Sequence, residues 1–354
     1  MSSSATPSSE TRGSKIGILQ RKEEHLDLAA KDERREGKGE TGFETFRFVH
    51  CALPEMALDD ITLKTTFLGK ALSAPFMIGS MTGGPSRAAQ INRNLALAAE
   101  ELGIAMGVGS QRVALENAGA GGINITLRRH APNVFLVSNI GGVQLAADGG
   151  QDLALRAIEA IEANAILIHL NPLQEALQPD GDTDWRGVLS AIETLCALSP
   201  VPVVVKEVGN GISGNVAKKL VNAGVSAIDA AGSGGTSWAW IESQRQDAHA
   251  KFYADTFADW GLPTADAIRG CRSACPDIPL IGSGGIRNGV QSAKALHLGA
   301  DIVSISGGVL DAALQSPDAV VDYFYTIIHQ LRIVCFASGI SDVGTLRHAQ
   351  TEHM

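Results

Sequence analysis

Aromatic and charged side chains are both scarce: 4 Trp, 3 Tyr and 10 Phe stand among 354 residues, and 19% of positions carry charge. Cysteine is limited to positions 51, 196, 271, 275 and 335. An odd count spread over a long chain excludes a disulfide framework and predicts free thiols in a reducing compartment, with the cytoplasm as default. Cys271 and Cys275 have the i,i+4 spacing of one helix face, but no second Cys or His pair stands nearby to complete a tetrahedral zinc site. No run reaches the roughly 18 apolar residues of a membrane span, and residues 2–14 contain no apolar signal core. Basic charge is in deficit, 38 acidic against 29 basic residues for a net of -9. That balance opposes non-specific attraction to nucleic acid or an anionic membrane, so an anionic ligand needs a focused site. Gly-x-Gly-x-x-Gly is missing after the first candidate strand, which leaves a Rossmann dinucleotide site unsupported.

What the chain does have is 45% apolar residues and 39 glycines, enough for one large domain or two small ones. Residues 1–14 are rich in Ser and Thr and read as a disordered tail. Residues 15–40 carry mixed charge, the composition of a solvated helix with i,i+4 pairs. Residues 43–67, with Pro54, read as a lead-in strand and loop.

From residue 70 onward, short apolar runs alternate with Ala- and Leu-rich helical stretches at the period of a βα unit. The candidate strands are 75–79, 104–109, 134–139, 165–169, 202–208, 227–230, 280–282 and 301–305. The clearest helices are 87–102, 152–163, 184–198, 213–223, 264–274 and 289–298. Eight alternations fit a (β/α)8 TIM barrel with an N-terminal extension better than an open doubly wound sheet. The expected organisation is a tail over 1–14, an arm and lead-in over 15–70, the barrel over 71–340 and a C-terminal tail over 341–354.

In such a barrel the chemistry lies at the C-terminal ends of the strands, and polar or glycine-rich clusters fall at those ends. They are Ser80-Met81-Thr82-Gly83-Gly84, Ser110-Gln111-Arg112, Ser138-Asn139, His169 to Gln174, Lys206-Glu207, Gly232-Ser233-Gly234-Gly235-Thr236, Gly282 to Arg287 and Ser306-Gly307-Gly308. Gly284-Gly285-Ile286-Arg287 leads from a strand into a helix, where glycines let backbone N–H groups approach an anion. Ser306-Gly307 follows 19 residues later at the next strand end, completing the phosphate corner that many barrels build after strands 7 and 8. Lys206 closes the apolar run 201–205, where an ammonium needs a carboxylate, a carbonyl or an electron-rich ligand. A pair with Glu207 is the plain alternative, weakened because adjacent strand residues face opposite sides. His169, Asn171, Gln174 and Glu175 gather an acid–base group, two amides and a carboxylate at one strand end, a costly set unless a ligand satisfies it. Glu175 suits Mg2+, which commonly bridges a carboxylate to a diphosphate.

Seven collinear motifs give the chain a resemblance to a known family. They are Arg21-Lys22-x-x-His25, Ser80-Met81-Thr82-Gly83-Gly84, Gly109-Ser110-Gln111-Arg112, His169 to Glu175, Lys206-Glu207-Val208-Gly209, Gly232 to Trp238 and Gly284 to Arg287. From about Gln20 to about residue 340 the chain resembles the type 2 isopentenyl-diphosphate isomerases, which are flavin-dependent barrels. The resemblance implies FMN across the barrel mouth, contacted by Ser80, Met81, Thr82, Ser110, Asn139, Lys206 and Thr236, with its phosphate at Gly285, Ile286, Arg287, Ser306 and Gly307. It implies that Arg21, Lys22, His25 and Arg112, with Ser110 and Gln111 beside them, face the substrate diphosphate, which replaces the solvated-helix reading of the arm.

By the same resemblance Gln174 contacts the hydrocarbon end of the substrate, Glu175 binds Mg2+, and His169 and Asn171 shape the reacting pocket. Trp238 and Glu242 belong to the family's motifs without a defined role. The implied reaction is a 1,3 proton shift between isopentenyl and dimethylallyl diphosphate, with reduced FMN as the acid–base agent and NADPH needed only to reduce it. A homo-tetramer or homo-octamer is implied as well, with no nucleic-acid or membrane partner. The α-hydroxy-acid oxidases are the alternative reading, but they place a base histidine after strand 6, where this chain has Ala231-Gly232, and commonly an arginine where Gly307 stands. A non-catalytic FMN or phosphate binder is a third reading, disfavoured by the titratable groups His169 and Lys206 at the strand ends.

Overall fold

The computed structural model describes residues 22–25, 27–28, 40–81, 86–116, 120–245 and 248–354. The expected tail over 1–14, Arg21 and Thr82 lie outside the described residues. Eight parallel strands close into a barrel, and each lies on one of the candidate runs. They are β4 (Phe76–Ile78), β5 (Ala105–Gly107), β6 (Leu136–Gly141), β7 (Ala165–Leu170), β8 (Val203–Glu207), β9 (Ala227–Asp229), β10 (Leu280–Gly282) and β11 (Ile302–Ile305). Closure is made by β11 on β4, in the register Val303 to Phe76 and Ile305 to Ile78. Helices cover the outside, with Ser86–Leu102, Gly150–Ala160, Val188–Leu198, Gly214–Asn222, Thr264–Ala274 and Gly289–His297 at the six expected places.

The strands read as near-continuous apolar runs because both of their faces are buried. One set of side chains fills the barrel interior: Met77, Ala105, Val137, Ala165, Leu167, Val204, Ala227, Ile281 and Ile302. The alternate set, including Ile78, Leu136, Ile140, Ile166, Ile168, Val203 and Val205, packs outward against the helices. A hairpin of β2 (Thr65–Phe67) and β3 (Lys70–Leu72) adds Phe67 and Leu72 to the interior cluster, and Phe67 meets Phe135 edge-on at 6.1 Å.

This two-residue alternation decides which groups enter the active end. Two positions beyond Val137, Leu167, Val204, Ala227, Ile281 and Ile302 stand Asn139, His169, Lys206, Asp229, Ser283 and Ser304. The inward face therefore changes from apolar to polar within one step of every one of these strands. On β4 and β5 the same step falls on Gly79 and Gly107, and a Cβ at Gly107 would meet Ser80 Oγ at 2.7 Å, so the room there is left to the Ser80 hydroxyl. A Cβ at Gly79 would lie 2.1 Å from Ser306 Oγ and 2.6 Å from Ser304 Oγ, against the end of the adjacent strand β11.

The longest helix, Pro317–Ala337, was not among the expected ones. Ser316 Oγ caps it by accepting from Ala319 N at 3.1 Å, with Pro317 in its first turn. By length and composition it could cross a membrane, but one face buries Val320, Phe324, Ile327, Leu331 and Cys335 in the main core beside helices Ser86–Leu102 and Gly289–His297. The lead-in supplies β1 (Phe46–Phe48), whose partner is β12 (Thr351–His353), antiparallel with Phe46 opposite His353. Residues 341–354 thus carry a 3-10 turn, Val343–His348, and a strand paired to the lead-in.

Candidate active site

A cavity of about 900 Å3 opens at the C-terminal ends of the strands, within the range of cofactor sites. It is lined by Lys22, His25, Ser80, Met81, Ser110, Arg112, Asn139, His169, Asn171, Gln174, Glu175, Lys206, Thr236, Gly285, Ile286, Arg287, Ser306 and Gly307. These come from all eight strand ends and from the N-terminal segment.

Gln111 is the correction. It was expected beside the substrate, yet it is fully buried and turned into the wall. Its Nε2 donates to Ala157 O at 3.0 Å and its Oε1 accepts from Asn139 N at 3.0 Å. The helix Arg112–Glu116 starts at the next residue, which sets neighbouring side chains about 100° apart and leaves Arg112 on the cavity side.

His169 is held by Asn139. The Asn139 amide donates from Nδ2 to Val108 O at 3.0 Å, so its Oδ1 accepts from His169 Nδ1–H at 2.8 Å. The neutral ring then carries its proton on Nδ1 and leaves Nε2 as an acceptor. Burial, then the nearby cations Lys206 and Lys22, push the His169 pKa down to about 4.

Lys206 and Glu207 point to opposite sides, as the strand alternation requires. Glu207 is buried and its Oε2 accepts from the backbone N–H groups of Gly209, at 2.6 Å, Asn210 and Gly211. Burial raises its pKa against those bonds and the charge of Lys206. Lys206 Nζ instead donates to Glu207 O at 2.5 Å and lines the cavity. Its register neighbour inside the barrel is Asp229. Asp229 is fully buried, accepts from Ser283 Oγ at 2.5 Å through Oδ1, and has no hydrogen-bond partner at Oδ2 among the described residues. Burial raises its pKa, and the charge of Lys206 opposes that rise.

Three features of this wall fit FMN. The Ser80 and Ser304 hydroxyls are buried, line the cavity and have no hydrogen-bond partner among the described residues. Such groups cost free energy unless a ligand satisfies them. The loops after β9 and β10 touch backbone to backbone: Gly285 has φ +68°, and a Cβ there would sit 2.3 Å from Gly234 O. Lys206 adds a cation at the cavity wall.

Glu175 is buried beside the cavity, accepting from Asn171 Nδ2 at 2.9 Å, Gln178 Nε2 at 2.6 Å and Asp182 N at 2.9 Å. Among the described residues no three His, Cys, Asp or Glu side chains gather to hold a metal ion. A Mg2+ ion on this carboxylate would complete its shell with water or substrate oxygens. Cys271 and Cys275 are buried thiols, and all five cysteines are free.

Sequence reasoning missed the groups that tie the site together. Asp229, Ser283 and Ser304 are visible once the strand alternation is carried one step past the apolar residues. Arg245 has no such signal. It donates to Glu242 Oε2 at 2.7 Å and to Glu24 Oε2 at 3.0 Å, contacts that join distant parts of the chain.

Comparison with known proteins agrees with this geometry. The FMN-dependent dehydrogenase family profile matches residues 18–128 and 136–353. Among curated proteins, the isopentenyl-diphosphate delta-isomerase of Stutzerimonas stutzeri is 56% identical over 95% of this chain and 98% of its own. That of Xanthobacter autotrophicus is 54% identical over 94% and 96%, and that of a Nostoc species 46% over 93% and 94%. Among solved structures, a lactate oxidase of Pediococcus acidilactici superposes with a TM-score of 0.65 at 16% identity, covering 96% of this chain and 94% of that one. Mandelate oxidase with (S)-2-phenylpropionate gives 0.63 at 17%, covering 96% and 98%. At that identity the likeness to the oxidases is one of fold. The chain belongs to the FMN-dependent dehydrogenase family, and within it to the isopentenyl-diphosphate delta-isomerases.

Proposed function

We propose that this chain interconverts isopentenyl and dimethylallyl diphosphate by a 1,3 proton shift. The observation that carries the reading is identity of 45 to 56% with isomerases over 93 to 95% of the chain, against 16 to 18% with the oxidases that share the fold. The oxidase alternative also lacks its base here, since the chain after β9 runs Ala230-Ala231-Gly232 without an imidazole.

The reaction adds a proton to the terminal alkene carbon and removes one from the methylene beside the former double bond, with no net change of oxidation state. Reduced FMN supplies the acid–base chemistry and an electron-rich ring when bound. Ser80, Asn139, Lys206, Thr236 and Ser304 would hold the ring system, and Gly285 to Arg287 with Ser306 and Gly307 would hold its phosphate. Lys22, His25 and Arg112 would bind the diphosphate. Arg112 now pairs with Glu116 at 3.3 Å and Asp182 at 4.0 Å at a half-exposed position, so exchanging these partners for a diphosphate costs little. His169, neutral and fixed by Asn139, adds no second positive charge beside Lys206. Asn171 and Gln174 form the polar edge against the hydrocarbon, with Asn171 Nδ2 donating to Gln174 Oε1 at 3.2 Å.

Mg2+ between Glu175 and the diphosphate, NADPH as the flavin reductant, a homo-tetramer or homo-octamer, and a cytoplasmic setting complete the proposal. The free thiols support the last of these. The test is an anaerobic assay of purified protein with FMN, Mg2+ and isopentenyl diphosphate, with and without NADPH. Dimethylallyl diphosphate formed only when the flavin is reduced is the expected result. Its absence with bound, reducible flavin would overturn the reading, and bleaching of the flavin by a 2-hydroxy acid would favour the oxidase.

A further inference from the structure

Glu242 is wholly buried and does not line the cavity, but its carboxylate holds two residues that do, His25 and Gln174. Its Oε1 lies 2.9 Å from His25 Nε2 and accepts from Gln174 Nε2 at 3.1 Å. Its Oε2 accepts from Arg245 Nη1 at 2.7 Å, while Arg245 Nε donates to Glu24 Oε2 at 3.0 Å. The ring of Trp238, four residues earlier on the same helix (Trp238–Gln244), meets His25 edge-on at 5.3 Å. Two consecutive residues of the N-terminal segment are thus held on that helix through one carboxylate and its arginine. The same segment supplies Lys22 and His25 to the cavity wall. Burial opposes ionisation of Glu242, but the bonds from His25, Gln174 and Arg245 outweigh it and hold the carboxyl below its ordinary range.

From this geometry we infer that Glu242 is a positioning residue: it fastens the segment carrying Lys22 and His25 over the cavity and aligns that segment with Gln174. The inference rests on the proposed diphosphate site, because it makes substrate affinity depend on a side chain that does not touch substrate. A carboxylate suits this place because it is all acceptor, and three donors converge on it from two elements and the N-terminal segment. An amide of the same shape turns one acceptor into a donor and sets it against His25 and Gln174, or against Arg245.

The test uses the FMN-loaded full-length protein and the variant Glu242→Gln, read in two ways. Trypsin cleavage after Lys22, followed by mass spectrometry and normalised to cleavage elsewhere in the chain, reports how often the segment leaves its seat. Loss of one buried charge-assisted bond predicts roughly tenfold faster cleavage there. In the same variant KM for isopentenyl diphosphate rises by about the same factor, with the FMN dissociation constant unchanged within about twofold. Should Glu242→Gln not accumulate as a folded protein, Arg245→Gln cuts the link to Glu24 and is expected to accelerate the same cleavage. Cleavage after Lys22 at the wild-type rate, or acceleration of all sites alike, would overturn the assignment. The protease result does not depend on turnover, so a wild-type protein without isomerase activity would refute the proposed function while leaving this anchoring role to be judged separately.

Discussion

Acidification from pH 7 to pH 5 should leave His169 largely uncharged. Its folded-state pKa is about 4, set first by burial and then by the charges of Lys206 and Lys22. An unfolded histidine titrates near 6.5, so between these values the unfolded chain takes up a proton that the folded one refuses. The stability due to the neutral ring is complete above pH 6.5, falls as pH drops through the window, and levels off below pH 4. Taken at about 1.4 kcal/mol per unit, the loss is at most about 3.5 kcal/mol, less whatever screening the cavity mouth provides. The assay is a pH titration of the ring carbon shifts in 13C-histidine-labelled, FMN-free protein, with the His169 signal identified by its loss in His169→Gln. A midpoint well below 5 is expected. A midpoint at or above 6.5 would refute the claim that burial and the two lysines keep this ring neutral.

Other consequences of the site are as open to test. Lys206→Ala removes the cation from the cavity wall and should weaken FMN binding about tenfold to a hundredfold, measured by flavin fluorescence titration; unchanged affinity would count against its ligand role. Gly285→Ala places a Cβ 2.3 Å from Gly234 O at φ +68°, so the corner must shift, and FMN retention on gel filtration should fall further than in Lys206→Ala. Glu175→Gln should raise the Mg2+ concentration for half-maximal turnover about tenfold, and an unaltered metal titration would remove it as the ligand.

The barrel was legible because strands buried on both faces are written as apolar runs, and each such run in the sequence carries a strand. The cavity end of the barrel was legible for the related reason that polar residues enter those runs toward their C-terminal ends, as Asn139, His169 and Lys206 do. Two kinds of feature were not. Gln111 lies one residue before a helix, where a rotation of about 100° separates a wall residue from a cavity residue, and no local pattern states that angle. The pairing of β1 with β12 joins residues about 300 positions apart through strands of three residues, too short for any period to show. Arg245 belongs with these, since its role exists only once Glu24 and Glu242 are brought to it.

A redox-neutral proton shift is tested by running the reaction anaerobically in D2O with pre-reduced FMN. Carbon-bound deuterium in the dimethylallyl product and the flavin absorbance are then followed together. About one deuterium at the new methyl group is expected in early product, with the flavin still reduced after many turnovers. Product without solvent deuterium, or flavin oxidised in proportion to product, would contradict a redox-neutral shift.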